Sequence, residues 1–126
     1  MKRTILVVED NERNRKLLRT ILRFRGFEVV ECDDGAPALE LARKHQPALV
    51  LMDIQLPTMD GITALGQLRG DTTTKNIPVV AVTASVTPNE REKVLAAGFD
   101  AYVGKPIDVD AFGEIVDRFV PKEAKA

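Results

Sequence analysis

Three acidic residues, a threonine and a lysine fall where a chain of short apolar runs and longer amphipathic stretches would gather them. Glu9 and Asp10 follow the apolar run 5–8, and Asp53 follows 49–52. Thr83 follows 79–82, and Lys105 lies just past 101–103. Carboxylates held together repel: two unit charges ~4 Å apart cost about 4 kcal/mol at an effective dielectric of 20. Such a cluster must take up protons or bind a cation. The donors are hard oxygens without His or Cys, which favours Mg²⁺, with Mn²⁺ as the alternative. Mg²⁺ keeps several waters and often uses only one or two carboxylates plus a phosphate oxygen, so one carboxylate stays free to react. A carboxylate nucleophile beside Mg²⁺, an ammonium and a hydroxyl is equipped for phosphoryl transfer. The cations would neutralise charge on the transferring oxygens, and Thr83 could donate a hydrogen bond to one of them.

The elements that must position these groups are legible as alternating patterns. Runs at 5–8, 29–30, 49–52, 79–82 and 101–103 read as strands. Three of them are apolar without polar alternation, as parallel strands covered on both faces are. Between them, apolar residues recur at helical spacing: Leu17, Leu18, Ile21 and Leu22; Leu39 and Ala42; Ile62, Leu65 and Leu68; Val94 and Ala97. The last helix is the clearest, with Phe112, Ile115, Val116 and Phe119. Gly26, Pro47, Gly70 and Gly98 fall at helix ends, while Asp60, Thr87-Pro88 and Asp108 fall at helix starts. Five strand–helix units predict an α/β fold: a doubly wound parallel sheet with right-handed crossovers and helices on both faces. Ligands of such sheets bind at the carboxyl ends of the strands, near the point where strand order reverses.

Composition agrees with one domain and excludes several classes. The chain has 126 residues, 44% hydrophobic and 29% charged, with a net charge of -1. That is ordinary globular composition, and it gives no overall reason to expect nucleic acid or an anionic membrane. A single cysteine, Cys32, cannot form an internal disulfide or a cysteine metal site. The apolar run after the basic start is too short for a signal peptide or a membrane span, so a cytoplasmic location is expected. Charge is uneven: residues 1–25 hold eight Lys or Arg against Glu9, Asp10 and Glu12. This basic first helix is either a solvated face or a docking face for an acidic protein.

The strand-end residues, taken with their neighbours, resemble a known family. Glu9-Asp10, Asp53 within Leu-Met-Asp-Ile-Gln-Leu-Pro-Thr-Met-Asp-Gly, Thr83-Ala84 and Lys105-Pro106 match receiver domains of two-component response regulators, the CheY-like fold. Val-Val-Glu-Asp-Asn, Met-Asp-Ile-Gln-Leu-Pro and Pro-Val-Val-Ala-Val-Thr-Ala are most similar to single-domain regulators of the DivK type and to receivers of hybrid kinases. The resemblance implies a flavodoxin-like (βα)5 sheet with strand order 2-1-3-4-5. It makes residues 1–126 one receiver domain, with a core at about 3–120 and a tail at 121–126. It implies that Asp53 is the phosphoacceptor and that Glu9, Asp10, Asp53 and the backbone carbonyl of Gln55 surround Mg²⁺. Thr83 and Tyr102 become a switch pair, and Lys105, aimed inward by a cis Lys105–Pro106 bond, contacts the phosphoryl group. Gln55 and Ser85 occupy positions that tune phosphoryl lifetime in the family. Glu9 departs from the more frequent Asp by one methylene, which leaves room for binding metal through water.

The implied partners are a histidine kinase or a histidine phosphotransfer protein as donor, and a protein target on the face of the fourth helix, fifth strand and fifth helix. The chain would act as a monomer or weak dimer, without an output domain and without a reaction beyond its own phosphorylation and dephosphorylation. Rival readings fit the residues less well. A phosphatase of the haloacid dehalogenase type wants an acid/base Asp two residues after the nucleophile, where Gln55 stands. A flavodoxin-like FMN protein wants a phosphate-cradling loop after the first strand, where Glu9-Asp10-Asn11-Glu12 would repel phosphate. A receiver that signals without phosphorylation has no need of the full acidic set. For Tyr102 simple packing is the alternative role, and His45 reads as a surface residue at a helix end.

Overall fold

The computed structural model describes residues 3–84 and 87–121. Ser85 and residues 122–126 of the expected tail lie outside the described residues. The apolar runs form five strands: β1 (Thr4–Val8), β2 (Glu28–Cys32), β3 (Leu49–Asp53), β4 (Val79–Thr83) and β5 (Ala101–Gly104). They alternate with α1 (Glu12–Phe24), α2 (Ala38–His45), α3 (Gly61–Gly70), α4 (Pro88–Ala97) and α5 (Val109–Phe119). All pairings are parallel, and the sheet order is β2-β1-β3-β4-β5, as expected.

The helix ends follow the predicted chemistry. Side chains of Asn11, Asp60, Thr87 and Asp108 accept backbone N–H groups in the first turns of α1, α3, α4 and α5. Each such cap contributes roughly 1 kcal/mol. Asn11 is the cap that the sequence pattern did not flag.

Alternate strand side chains enter two separate cores. Leu6, Val8, Val50, Met52, Val79 and Ala81 pack on one face, with Ala42, Leu65, Leu68 and Val94 from α2, α3 and α4. Ile5, Val7, Leu49, Leu51, Val80 and Val82 pack on the other, with Leu18, Leu22, Phe112 and Val116 from α1 and α5. Each large side chain so buried stabilises the fold by ~1.5–3 kcal/mol. Double burial explains why β1, β3 and β4 read as continuous apolar runs.

Three residues assigned to helical stripes face solvent instead: Leu17, Ile62 and Ala97. Each lies on its helix beside a neighbour that takes the core position: Leu18 for Leu17, Leu65 for Ile62 and Val94 for Ala97. A helix stripe contacting a flat sheet is narrower than the full set of apolar positions.

Strand order reverses between β1 and β3. The register sets Val8 beside Met52, Asp53 beside Val82 and Thr83 beside Gly104. The residues just past β1 and β5 and the last residues of β3 and β4 therefore share one edge of the sheet.

Candidate functional site

At that edge Glu9, Asp53 and Thr83 are buried, Lys105 is partly buried, and Asp10 is exposed. Lys105 Nζ donates to Asp53 Oδ2 at 2.9 Å and lies 2.8 Å from Glu9 Oε1. The second contact is an ion pair by distance but lies off the hydrogen-bonding direction. Glu9 Oε1 is thus a buried oxygen without an aligned donor. Asn11 N–H donates to Glu9 Oε2 at 3.1 Å, and Gln55 N–H donates to Asp53 Oδ1 at 3.0 Å. The Lys105–Pro106 bond is cis, as the resemblance implied.

The β3–α3 loop lies close against the end of β3. Gly61 N–H donates to the Ile54 carbonyl at 2.9 Å. A Cβ at Gly61 would meet the Asp53 carbonyl oxygen at 2.4 Å, so only glycine allows this approach.

Burial first, and the neighbouring Asp53 carboxylate second, push the Glu9 carboxyl up to about 7. Lys105 and the Asn11 N–H oppose that rise without cancelling it. For Lys105, burial alone would lower the value, but Glu9 and Asp53 outweigh it and the ammonium is held more firmly than usual. The edge therefore carries more negative charge than its one lysine neutralises.

The Glu9 value lies above its ordinary 4.5, so folding favours the neutral acid. That contribution is fully present below about pH 4.5 and is lost as the pH rises through 7, by on the order of 3 kcal/mol at most. Melting curves in a chelator should show Glu9→Gln gaining on the wild type as the pH rises from 5 to 8. Parallel pH profiles for the two proteins would refute it.

The donor set fits a hard divalent cation. One carboxylate oxygen from each of Glu9, Asp10 and Asp53 lies within 4.8 Å of the others. The buried Glu9 oxygen without an aligned donor adds an acceptor that a cation would satisfy.

Tyr102 is half-buried against the α2–α3–α4 core, and the Arg91 guanidinium lies 5.0 Å from its ring centroid. Arg15, one of the eight basic residues of the first 25, turns inward: its Nη1 donates to the Glu9 carbonyl at 2.9 Å and its Nε lies 3.4 Å from Glu31. Arg19 pairs with Glu31 at 2.8 Å, and Arg25 pairs with Asp117 on α5. Their negative partners lie on β2 and α5, distant in sequence, so the charge pattern of one segment did not reveal them. Arg13, Lys16 and Arg23 remain exposed on α1, beside Leu17 and the 93% exposed Phe24.

Comparison with known proteins assigns the class. The family model for the response regulator receiver domain matches residues 5–117. The polar-differentiation response regulator DivK of Brucella anthropi is 40% identical over 120 residues, covering 95% of this chain and 98% of the relative; that of Brucella ovis aligns equally well. A solved receiver domain of a sensor histidine kinase from Pseudomonas aeruginosa, with a magnesium ion coordinated in its active-site cleft, superposes with a TM-score of 0.88 at 32% identity. It covers 95% of this chain and 98% of the neighbour. Vibrio cholerae chemotaxis protein CheY4, at a TM-score of 0.87 and 24% identity over 94% of this chain and 99% of that one, shares the fold. The chain belongs to the response regulator receiver domain family and has a signalling role. Among the described residues, no helix is long and apolar enough to cross a membrane.

Proposed function

We propose that Asp53 accepts a phosphoryl group from a protein phosphohistidine. An Asp53 carboxylate oxygen attacks phosphorus, the P–N bond breaks, and its electron pair returns to the imidazole nitrogen. The observation that carries this reading is Lys105 Nζ, 2.9 Å from one Asp53 oxygen while the Gln55 N–H holds the other. That leaves the carboxylate oriented beside a fixed positive charge. Glu9, Asp10, Asp53 and the Gln55 carbonyl would hold Mg²⁺, which supplies positive charge to the phosphoryl oxygens. Lys105 and Thr83 bind the remaining oxygens, and Thr83 with Tyr102 reports the change to the surface. Gln55 and Ser85 tune how long the phosphoryl group lasts. On this reading residues 1–126 act as one cytoplasmic receiver domain that turns over only its own phosphoryl group.

The deciding experiment is incubation with acetyl phosphate followed by intact-mass measurement. One added phosphoryl group is expected with Mg²⁺ and none with a chelator. Labelling that is independent of divalent metal would reject the reading.

The two acidic neighbours should contribute unequally to metal binding. Asp10 is exposed, while Glu9 is engaged by Lys105 and the Asn11 N–H. Asp10→Ala should weaken Mg²⁺ binding by roughly tenfold or more, and Glu9→Ala by less. Calorimetric titration giving the reverse order would reassign the ligands.

The phosphodonor would be a histidine kinase or a histidine phosphotransfer protein, docking on α1. Arg13 and Lys16 are exposed near the N-terminus of α1, which starts three residues beyond Glu9. Contacts of this kind act mainly on encounter rate and are screened by salt. Arg13→Glu with Lys16→Glu should slow transfer from the partner protein by on the order of tenfold and leave acetyl phosphate labelling unchanged. Equal slowing of both reactions would refute docking here. Output would pass through α4, β5 and α5; between β5 and α5, Tyr102, Asp108, Ile115 and Arg118 line a cleft of about 300 Å³.

A further inference from the structure

The loop after β2 reaches across to the loop after β3 through a single carboxylate. Asp34 Oδ1 accepts the N–H of Gly35 at 2.8 Å, of Thr58 at 3.2 Å and of Met59 at 3.1 Å. The last two belong to the β3–α3 loop, the segment that leads from Asp53 through Gln55 to α3. The approach is close in the backbone as well: a Cβ at Gly35 would meet the Met59 carbonyl oxygen at 2.4 Å and the Ala64 Cβ at 3.1 Å. The near side of this strut is fixed too. Cys32 Sγ contacts the Asp34 carbonyl at 3.4 Å, and the Cys32 carbonyl accepts the Glu9 N–H at 3.0 Å. A continuous line of bonds thus runs from the end of β1, through the end of β2 and Asp34, to the loop carrying Gln55. The Met59 N–H first, with those of Gly35 and Thr58, holds the Asp34 carboxyl below the ordinary range, so it stays ionised as an acceptor.

We propose that Asp34 is a positioning residue: by clamping Thr58 and Met59 it fixes the β3–α3 loop against the acidic cluster and so sets the metal affinity of the site. It touches neither metal nor phosphoryl group and acts through the loop. The inference rests on the reading that Gln55 and Asp53 hold Mg²⁺.

The clamp needs an oxygen acceptor at this point, and the full charge is secondary. Asp34→Asn keeps an oxygen that can accept the same N–H groups, whereas Asp34→Ala keeps none. Gly35→Ala leaves Asp34 in place but pushes the Met59 carbonyl away. Mg²⁺ titration of the full chain should show affinity about tenfold weaker in Asp34→Ala, the size of effect expected from losing hydrogen bonds to a charged acceptor. Gly35→Ala should fall in the same direction, and Asp34→Asn should return to within about threefold of wild type. The acetyl phosphate labelling rate of Asp34→Ala should recover at saturating Mg²⁺, a rescue that a general loss of stability would not allow. The idea is overturned if Asp34→Ala and Gly35→Ala both bind Mg²⁺ like the wild type, if Asp34→Asn is as weak as Asp34→Ala, or if saturating Mg²⁺ fails to restore the rate. A wild-type chain that binds no Mg²⁺ would instead remove the reading of the site, and this inference with it.

Discussion

Asp53→Asn is expected to gain no mass on incubation with acetyl phosphate and Mg²⁺, while the wild type gains one phosphoryl group. The asparagine amide is a poor nucleophile, and it removes the negative charge that faces Lys105 at 2.9 Å. The variant should still fold, because Asn retains an oxygen to accept the Gln55 N–H now bonded to Asp53 Oδ1. Two opposing changes then act on stability. The Lys105–Asp53 pair is lost, but so is the repulsion that Asp53 exerts on Glu9 and Asp10. Repulsion is the larger effect where three carboxylates share one ammonium, so in a chelator the variant should melt no lower than the wild type. Burial and Asp53 together raise the Glu9 carboxyl, and without Asp53 its value should fall toward the ordinary range. Mg²⁺ affinity should drop by tenfold or more with one of three carboxylates gone. Labelling that persists in the variant would put the acceptor elsewhere and end the assignment of Asp53.

How much of this site the sequence disclosed depends on where each residue sits along its strand. Glu9, Asp10, Asp53, Thr83 and Lys105 were legible because each lies at or just past the end of an apolar run, and a parallel sheet gathers those ends whatever the details of packing. The caps at Asp60, Thr87 and Asp108 were legible because capping is local. The same rule applied to the second strand points to Asp33 and Asp34, yet β2 gave a weak signal. Its run Glu28–Cys32 is an edge strand with only partial burial, so its apolar core shrank to Val29 and Val30. The strut built on Asp34 was missed with it. The inward pairing of Arg15 and Arg19 was hidden for a different reason. A cluster of positive charge in one helix looks like an outward face until the partner on another element is known, and Glu31 lies on β2. Leu17 belongs to the same class of error, since a helical period identifies a stripe but not which edge of it the sheet covers.

Lys105→Met should separate charge stabilisation from metal holding. Methionine keeps a long flexible stem and loses the ammonium that now touches both Asp53 and Glu9. If that ammonium stabilises the transferring oxygens, its removal should slow acetyl phosphate labelling by about 10²- to 10³-fold, the usual size of effect for one preorganised donor. Mg²⁺ affinity should move the other way. The ammonium competes with a cation for Glu9 Oε1 and Asp53 Oδ2, so the variant should bind Mg²⁺ at least as tightly as the wild type. Stability in a chelator should fall, because a buried carboxylate loses its compensating charge. The fall should be larger at pH 8 than at pH 6, since Glu9, raised to about 7 even with Lys105 beside it, takes up a proton at the lower pH and relieves the strain. Labelling at the wild-type rate would reduce Lys105 to a structural counter-charge. A Mg²⁺ affinity that falls in step with the rate would mean that Lys105 acts by shaping the carboxylate cluster. Only slower transfer with undiminished metal binding assigns its charge to the phosphoryl group itself.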